Sequence, residues 1–177
     1  MDIFLRPIIP HIIVAISGCG VLFIRAYGKK KTTGQSQFIS LFGLIIALGV
    51  CLLQPGKKPV SSFYGMVSYD PVSTILCILV IISGILSILL SSDYLKRINI
   101  AQDEFYALIL FAISGMMFLG SASDLVSIFL GVELMSIAIY VMVGFNRARN
   151  ESTEGALKYL ILGAFASGFL LYGIALI

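Results

Sequence analysis

Charge is the scarcest feature of this sequence. Charged residues fill 12% of its 177 positions, against roughly 25% in typical soluble domains. There is no tryptophan and a single histidine, His11. The net charge of +3 is small, and the basic residues sit in short clusters between apolar runs, which excludes a nucleic-acid-binding patch. The three cysteines, Cys19, Cys51 and Cys77, all lie inside apolar runs. No pair has CxxC or metal-ligand spacing, so they read as small packing residues and not as a disulfide or metal set. A Gly-rich phosphate loop, a low-complexity tract and a strand pattern are all missing.

Apolar residues are what the sequence has in excess. They make up 59% of the chain, and the mean hydropathy is +1.03. A soluble fold of this size cannot hide that much apolar surface, whereas lipid solvates it. The residues therefore predict an all-α, polytopic membrane helix bundle, one membrane domain over residues 1–177. Six apolar segments are legible: 8–24, 38–53, 71–92, 105–123, 125–145 and 157–177. A spanning helix needs about 20 residues, and the last four segments fit well. The second is short and can extend through Ser36-Gln37 or Gln54. The run Ile16-Ser17-Gly18-Cys19, with Arg6 upstream, has the outline of a lipoprotein cleavage box. However, Pro10 and His11 interrupt the apolar stretch before it and Val21–Ile24 continue it afterwards, so a retained first helix is expected.

Helix punctuation agrees with these segments. Asp70 before Pro71 suits the start of the third helix, and Asp103, Glu104 and Asp124 place negative charge at the next two N-termini. Ser152 or Thr153 is the expected cap of the sixth helix, with Glu154 in its first turn, and Pro55-Gly56 is the expected end of the second. Small residues recur at helix-contact spacing: Ser83, Ser87 and Ser91 on the third helix, Gly163 with Ser167 and Ala164 with Gly168 on the sixth. The loops after helices one, three and five carry Arg25, Lys29, Lys30, Lys31, Lys96, Arg97, Arg147 and Arg149. The opposite side carries Arg6, Lys57 and Lys58. By the positive-inside rule, both termini face outward, which in a bacterium is the periplasm.

Two ionisable residues lie inside the apolar segments. Glu133, in Leu130-Gly131-Val132-Glu133-Leu134-Met135-Ser136, is nine residues past Asp124, about 13 Å into the membrane. A carboxylate at that depth costs about 2.5–3.5 kcal/mol on insertion scales, a cost that calls for a partner or a water-filled path. Ser136 and Tyr140 follow at i+3 and i+7 and form a supporting polar face. Two readings stay open: a proton-exchanging carboxyl, or a structural glutamate hydrogen-bonded between helices. Lys158 lies about one and a half turns into helix six and is shallow enough to snorkel to the surface. An axial gap of about 10 Å separates the two, and their side chains lean in opposite directions, so no direct salt bridge is expected. His11 reads as an interface residue. Asp93, Asp103, Arg147 and Arg149 read as solvated loop charges.

The stretch from Glu104 onward resembles a known family. Its carrying residues are Glu104-Phe105-Tyr106-Ala107-Leu108, Ser123-Asp124-Leu125 and the segment around Glu133. Ala156-Leu157-Lys158-Tyr159, Leu162-Gly163-Ala164-Phe165-Ala166-Ser167-Gly168 and Leu171-Tyr172-Gly173 complete the set. The stretch is similar to subunit N of the proton-pumping NADH:quinone oxidoreductase, respiratory complex I, an antiporter-like membrane subunit. The resemblance implies the N-terminal portion of an antiporter-like fold, in a bacterial inner membrane, among the other membrane subunits of complex I. It also implies a proton-translocation role for Glu133 and, with it, Lys158. NADH and quinone would be used by the complex; the sequence offers no flavin motif, iron–sulfur cysteine set or nucleotide fingerprint, so no cofactor is expected on this chain. Members of the family have about fourteen helices arranged around broken, inverted repeats. Against them this sequence reads as truncated. The alternatives are a cation/proton antiporter component and a structural membrane fragment.

Overall fold

The computed structural model describes residues 8–27, 33–53, 60–62, 64–97 and 103–177. The expected turn at Pro55-Gly56, and Arg6, Lys29, Lys30, Lys31, Lys57 and Lys58, lie outside the described residues. Among the described residues six helices form: α1 (Ile9–Tyr27), α2 (Thr33–Leu53), α3 (Pro71–Arg97), α4 (Asp103–Ser121), α5 (Leu125–Val143) and α6 (Asn150–Ala175). All six are long and apolar enough to cross a membrane. Even the shortest, at 19 residues, extends about 28 Å, close to the hydrocarbon thickness of a bilayer.

The ends explain where the boundaries moved. α2 is not short, because it recruits the polar turn from Thr33 to Gln37 and reaches 21 residues. α3 runs on to Lys96 and Arg97, cations that suit a helix C-terminus. α6 starts at Asn150, well before its apolar part at Leu157. The expected cap by Ser152 or Thr153 is therefore corrected: both lie inside α6, and the Ser152 hydroxyl donates to the Val143 carbonyl at 2.6 Å, tying α6 to the end of α5. Two expected caps hold. The Val126 amide donates to Asp124 Oδ2 at 3.1 Å, and the Ser73 amide donates to Asp70 Oδ1 at 2.6 Å.

α4 is the axis of the bundle. It packs against α1, α2, α3 and α5, and its Tyr106, Ala107, Leu110, Ile113 and Met117 are buried to 1% exposure or less. Val14 and Val21 of α1, Leu44 and Ala47 of α2, and Ile81 and Ile88 of α3 close around it. In lipid such packing rests on close fit, because the apolar surroundings supply no hydrophobic drive between helices. The closest fit joins α4 to α5. A Cβ at Gly115 would lie 2.6 Å from the Met135 amide nitrogen, and one at Gly131 would lie 2.9 Å from that of Leu119. Of the small-residue stripe predicted on α3, Ser83 and Ser87 are exposed and Ser91 is half-buried, and the packed face is Cys77, Ile81, Gly84 and Ile88. On α6, Gly163 and Ser167 are half-buried while Ala164 and Gly168 are exposed.

One element was not legible as a pattern. Between α2 and α3, β1 (Val60–Ser62) pairs antiparallel with β2 (Val67–Tyr69), with Ser62 opposite Val67. Three residues per strand are too few to display alternation. Tyr64 (φ 56°) and Gly65 (φ 91°) make the turn. The hairpin docks on the α4–α5 junction, where Val67 bridges Ala122 and the Ser123 amide donates to the Met66 carbonyl at 2.9 Å.

Candidate functional site

Glu133 sits next to the middle of α5 and is half-buried. Its Oε1 is shielded from solvent and has no hydrogen-bond partner among the described residues. Two glycine-mediated contacts settle which way α5 faces. Gly131 and Met135 lie against α4, and Glu133, midway between them in sequence, is turned roughly 160–200° away from that contact. Tyr140, seven residues on and within about 20° of the same face, points to α6. Its ring meets Tyr159 edge-on at 5.0 Å, and a Cβ at Gly163 would overlap its hydroxyl. Gly144 meets Ala156 one turn further along. Continuing that antiparallel register, Glu133 is level with residues 167–170 of α6, where Ser167 is half-buried. Ser136 is half-buried beside this face.

Lys158 is placed elsewhere. Its side chain is 69% exposed and pairs with Glu154, one turn earlier on α6. By the same register it lies level with residues 141–145 of α5, roughly 12–18 Å along the axis from Glu133. The two charges are not brought together. The Glu154–Lys158 pair was within reach of sequence reasoning, since the spacing is i,i+4 with the acid first.

Two polar contacts overturn expectations. Asp103 is not a solvated loop charge: it is 3% exposed, with Oδ2 3.9 Å from Arg25 Nη1. Arg25 also donates through Nε to Glu104 Oε1 at 3.0 Å, so one guanidinium at the end of α1 serves two carboxylates at the start of α4. His11 is not at the surface but 6% exposed, with Nε2 3.1 Å from Ser121 Oγ. The Ser121 hydroxyl is directed at the Met117 and Phe118 carbonyls, which makes it the acceptor for an Nε2–H. Asp93 and Arg149 are exposed as expected, pairing with Lys96 and Glu151. Among the described residues no cluster of His, Cys, Asp and Glu could hold a metal ion.

Residues 122–177, which include Glu133, Ser136, Tyr140 and Lys158, match the family described as "NADH:quinone oxidoreductase/Mrp antiporter, TM". The chain is 39% identical over 173 residues to NADH-quinone oxidoreductase subunit N of Trichlorobacter lovleyi, covering 98% of this chain and 35% of that protein. It is 41% identical to subunit N of Chloroflexus aggregans, again over 98% of this chain and 35% of the relative. This chain is a relative of NADH-quinone oxidoreductase subunit N. The helix arrangement agrees. A chain of respiratory complex I from Thermus thermophilus, solved with bound aureothin, superposes with a TM-score of 0.77 at 28% identity, over 95% of this chain and 36% of that one. The chain thus spans about a third of the length of the subunit N relatives it matches.

Proposed function

We propose that this chain is part of a membrane subunit of a proton-translocating NADH:quinone oxidoreductase and that Glu133 is a carboxyl through which protons pass. The observation that carries this reading is the solvent-shielded Oε1 of Glu133 near the middle of α5, which has no hydrogen-bond partner among the described residues. A structural glutamate at that depth would have both oxygens hydrogen-bonded, because an unmet buried polar atom costs about 1–3 kcal/mol. A carboxyl that can take up and give back a proton is the chemistry a relay requires.

Lys158 takes a different part in this reading. On the outward face of α6 it is suited to exchange charge with groups beyond the described helices, through water and not through Glu133. NADH oxidation and quinone reduction would belong to other subunits, and this chain would contribute charge movement. The alternating cation counts support a cell inner-membrane location with both termini on the outer side.

The test is Glu133→Gln in the assembled complex, with NADH oxidation and proton release measured together. The expected result is a lower proton-to-electron ratio at unchanged assembly; an unchanged ratio would reject the role. The family match to antiporters as well as oxidoreductases supports a second reading, a cation/proton antiporter component. Purification with quinone-reductase chains favours the first reading. Cation-driven proton transport by the reconstituted protein without those chains favours the second.

A further inference from the structure

Where α1 ends and α4 begins, a groove of about 560 Å³ opens at the cation-rich face of the bundle. α4 forms its floor through Glu104, Ala107, Leu108 and Phe111, which recur at helical spacing on one face. Leu22 of α1 and Val141 of α5 are opposite walls, and Asn146 and Arg147 stand at the mouth. The walls are apolar and run into the spanning region. The mouth is polar and lies at a membrane boundary.

Among the described residues most cations at this face are paired, and Arg97 and Arg147 are the exceptions. Arg25 is held by Glu104, Lys96 by Asp93, Arg149 by Glu151 and Lys158 by Glu154. Glu104, the one acid lining the groove, shares the Arg25 guanidinium with Asp103 and is held by it at Oε1. Arg147 is exposed, and no carboxylate among the described residues lies within ion-pair distance of it. The groove thus presents a free guanidinium above an apolar channel. A guanidinium offers a planar fork of donors that matches phosphate oxygens. A free anion would use only the mouth, and a neutral lipid only the walls.

We infer that this groove binds an anionic glycerophospholipid, with its phosphate on Arg147 and the upper part of one acyl chain along Leu108, Phe111 and Val141. The site is independent of Glu133, and the two readings stand or fall separately.

The test is photolabelling of the intact protein in its native assembly, held in phosphatidylcholine nanodiscs. The probes are phosphatidylglycerol and phosphatidylcholine, each carrying a diazirine in one acyl chain. Labelling of peptides containing Leu108, Phe111 or Val141 should favour the phosphatidylglycerol probe about fivefold, the preference expected for one interfacial cation. Unlabelled phosphatidylglycerol should compete and inorganic phosphate should not. Arg147→Gln should abolish the preference, and Arg147→Lys should keep part of it. Val141→Trp, which fills the groove without touching the charge, should lower labelling by both probes. Equal labelling by both lipids, a preference that survives Arg147→Gln, or crosslinks showing another protein chain in the groove would each overturn the proposal. Competition by phosphate as strong as by lipid would reduce it to a simple anion site and overturn it equally.

Discussion

Lys158 reaches Glu154, a turn back on its own helix, and not Glu133. A direct coupling between Lys158 and Glu133 should therefore be absent from stability. In a double-mutant cycle of Glu133→Gln and Lys158→Met, unfolding free energies should add to within about 0.5 kcal/mol. Exposed i,i+4 pairs are worth only about 0.3–0.5 kcal/mol, so Lys158→Met alone should barely change stability. A large interaction energy would mean that the two charges meet in a state other than the one described.

The double service of Arg25 makes a second prediction. Arg25→Gln leaves Asp103, 3% exposed, and Glu104 without their cation. Uncompensated buried charge is among the strongest destabilising changes. Thermal unfolding in lipid nanodiscs should show a clear loss of stability, greater than that from Arg149→Gln, whose pair with Glu151 is exposed. Adding Asp103→Asn should restore part of it. If Asp103→Asn deepens the loss, the carboxylate has a role besides pairing with Arg25.

This pair also marks the limit of what the sequence made legible. The six spans could be read because an apolar run of membrane length has few other fates, and Asp124 and Asp70 could be read because capping is local. Glu133's depth followed by counting from Asp124. What could not be read were partners far apart in sequence. Asp103 looked like a loop charge because its cation is 78 positions away, and His11 looked superficial because Ser121 is 110 away. The hairpin escaped because its strands are too short for periodicity, and the start of α6 because its first turns are polar. The orientation of Glu133 rested on glycine contacts that only a three-dimensional register reveals.

The approach of α4 to α5 gives a third prediction. Gly115→Ala and Gly131→Ala each drive a Cβ into backbone atoms of the facing helix. Backbone cannot rotate out of the way as a side chain can, so the helices must part, at a cost of about 1–3 kcal/mol. Gly173→Ala, where a Cβ meets open space, is the control and should be neutral or slightly stabilising. Because Glu133 lies between Gly131 and Met135, the first two substitutions should also impair any proton transfer through it. Unfolding in nanodiscs and proton-to-electron ratios measure the two effects separately.

His11 provides a fourth. Ser121→Ala removes the acceptor of its Nε2–H and leaves that contact unmet between α1 and α4. Hydrogen bonds between membrane helices average about 0.6 kcal/mol and reach about 1.7, and the loss should fall in that range. Ser121→Thr keeps the hydroxyl and should recover most of it. Equal losses from Ala and Thr would point to packing at Ser121 and not to the hydrogen bond.

The contact between Tyr140 and α6 decides whether the polar face of α5 is held by the sixth helix. Gly163 leaves the space that the Tyr140 ring fills, and Tyr159 receives that ring edge-on. Gly163→Ala should push Tyr140 aside and forfeit the aromatic contact, worth about 0.5–1.5 kcal/mol. The same substitution in a Tyr140→Ala background meets no ring and should cost nothing, or gain slightly from better helix propensity. The cycle isolates the ring as the cause, because backbone crowding would persist in both backgrounds. Glu133 shares this face, so displacing Tyr140 should also shift the α6 turn around Ser167 relative to it. A fall in proton transfer by Gly163→Ala that Tyr140→Ala relieves would tie the carboxyl to that helix contact; a fall that persists would place the effect on α6 itself.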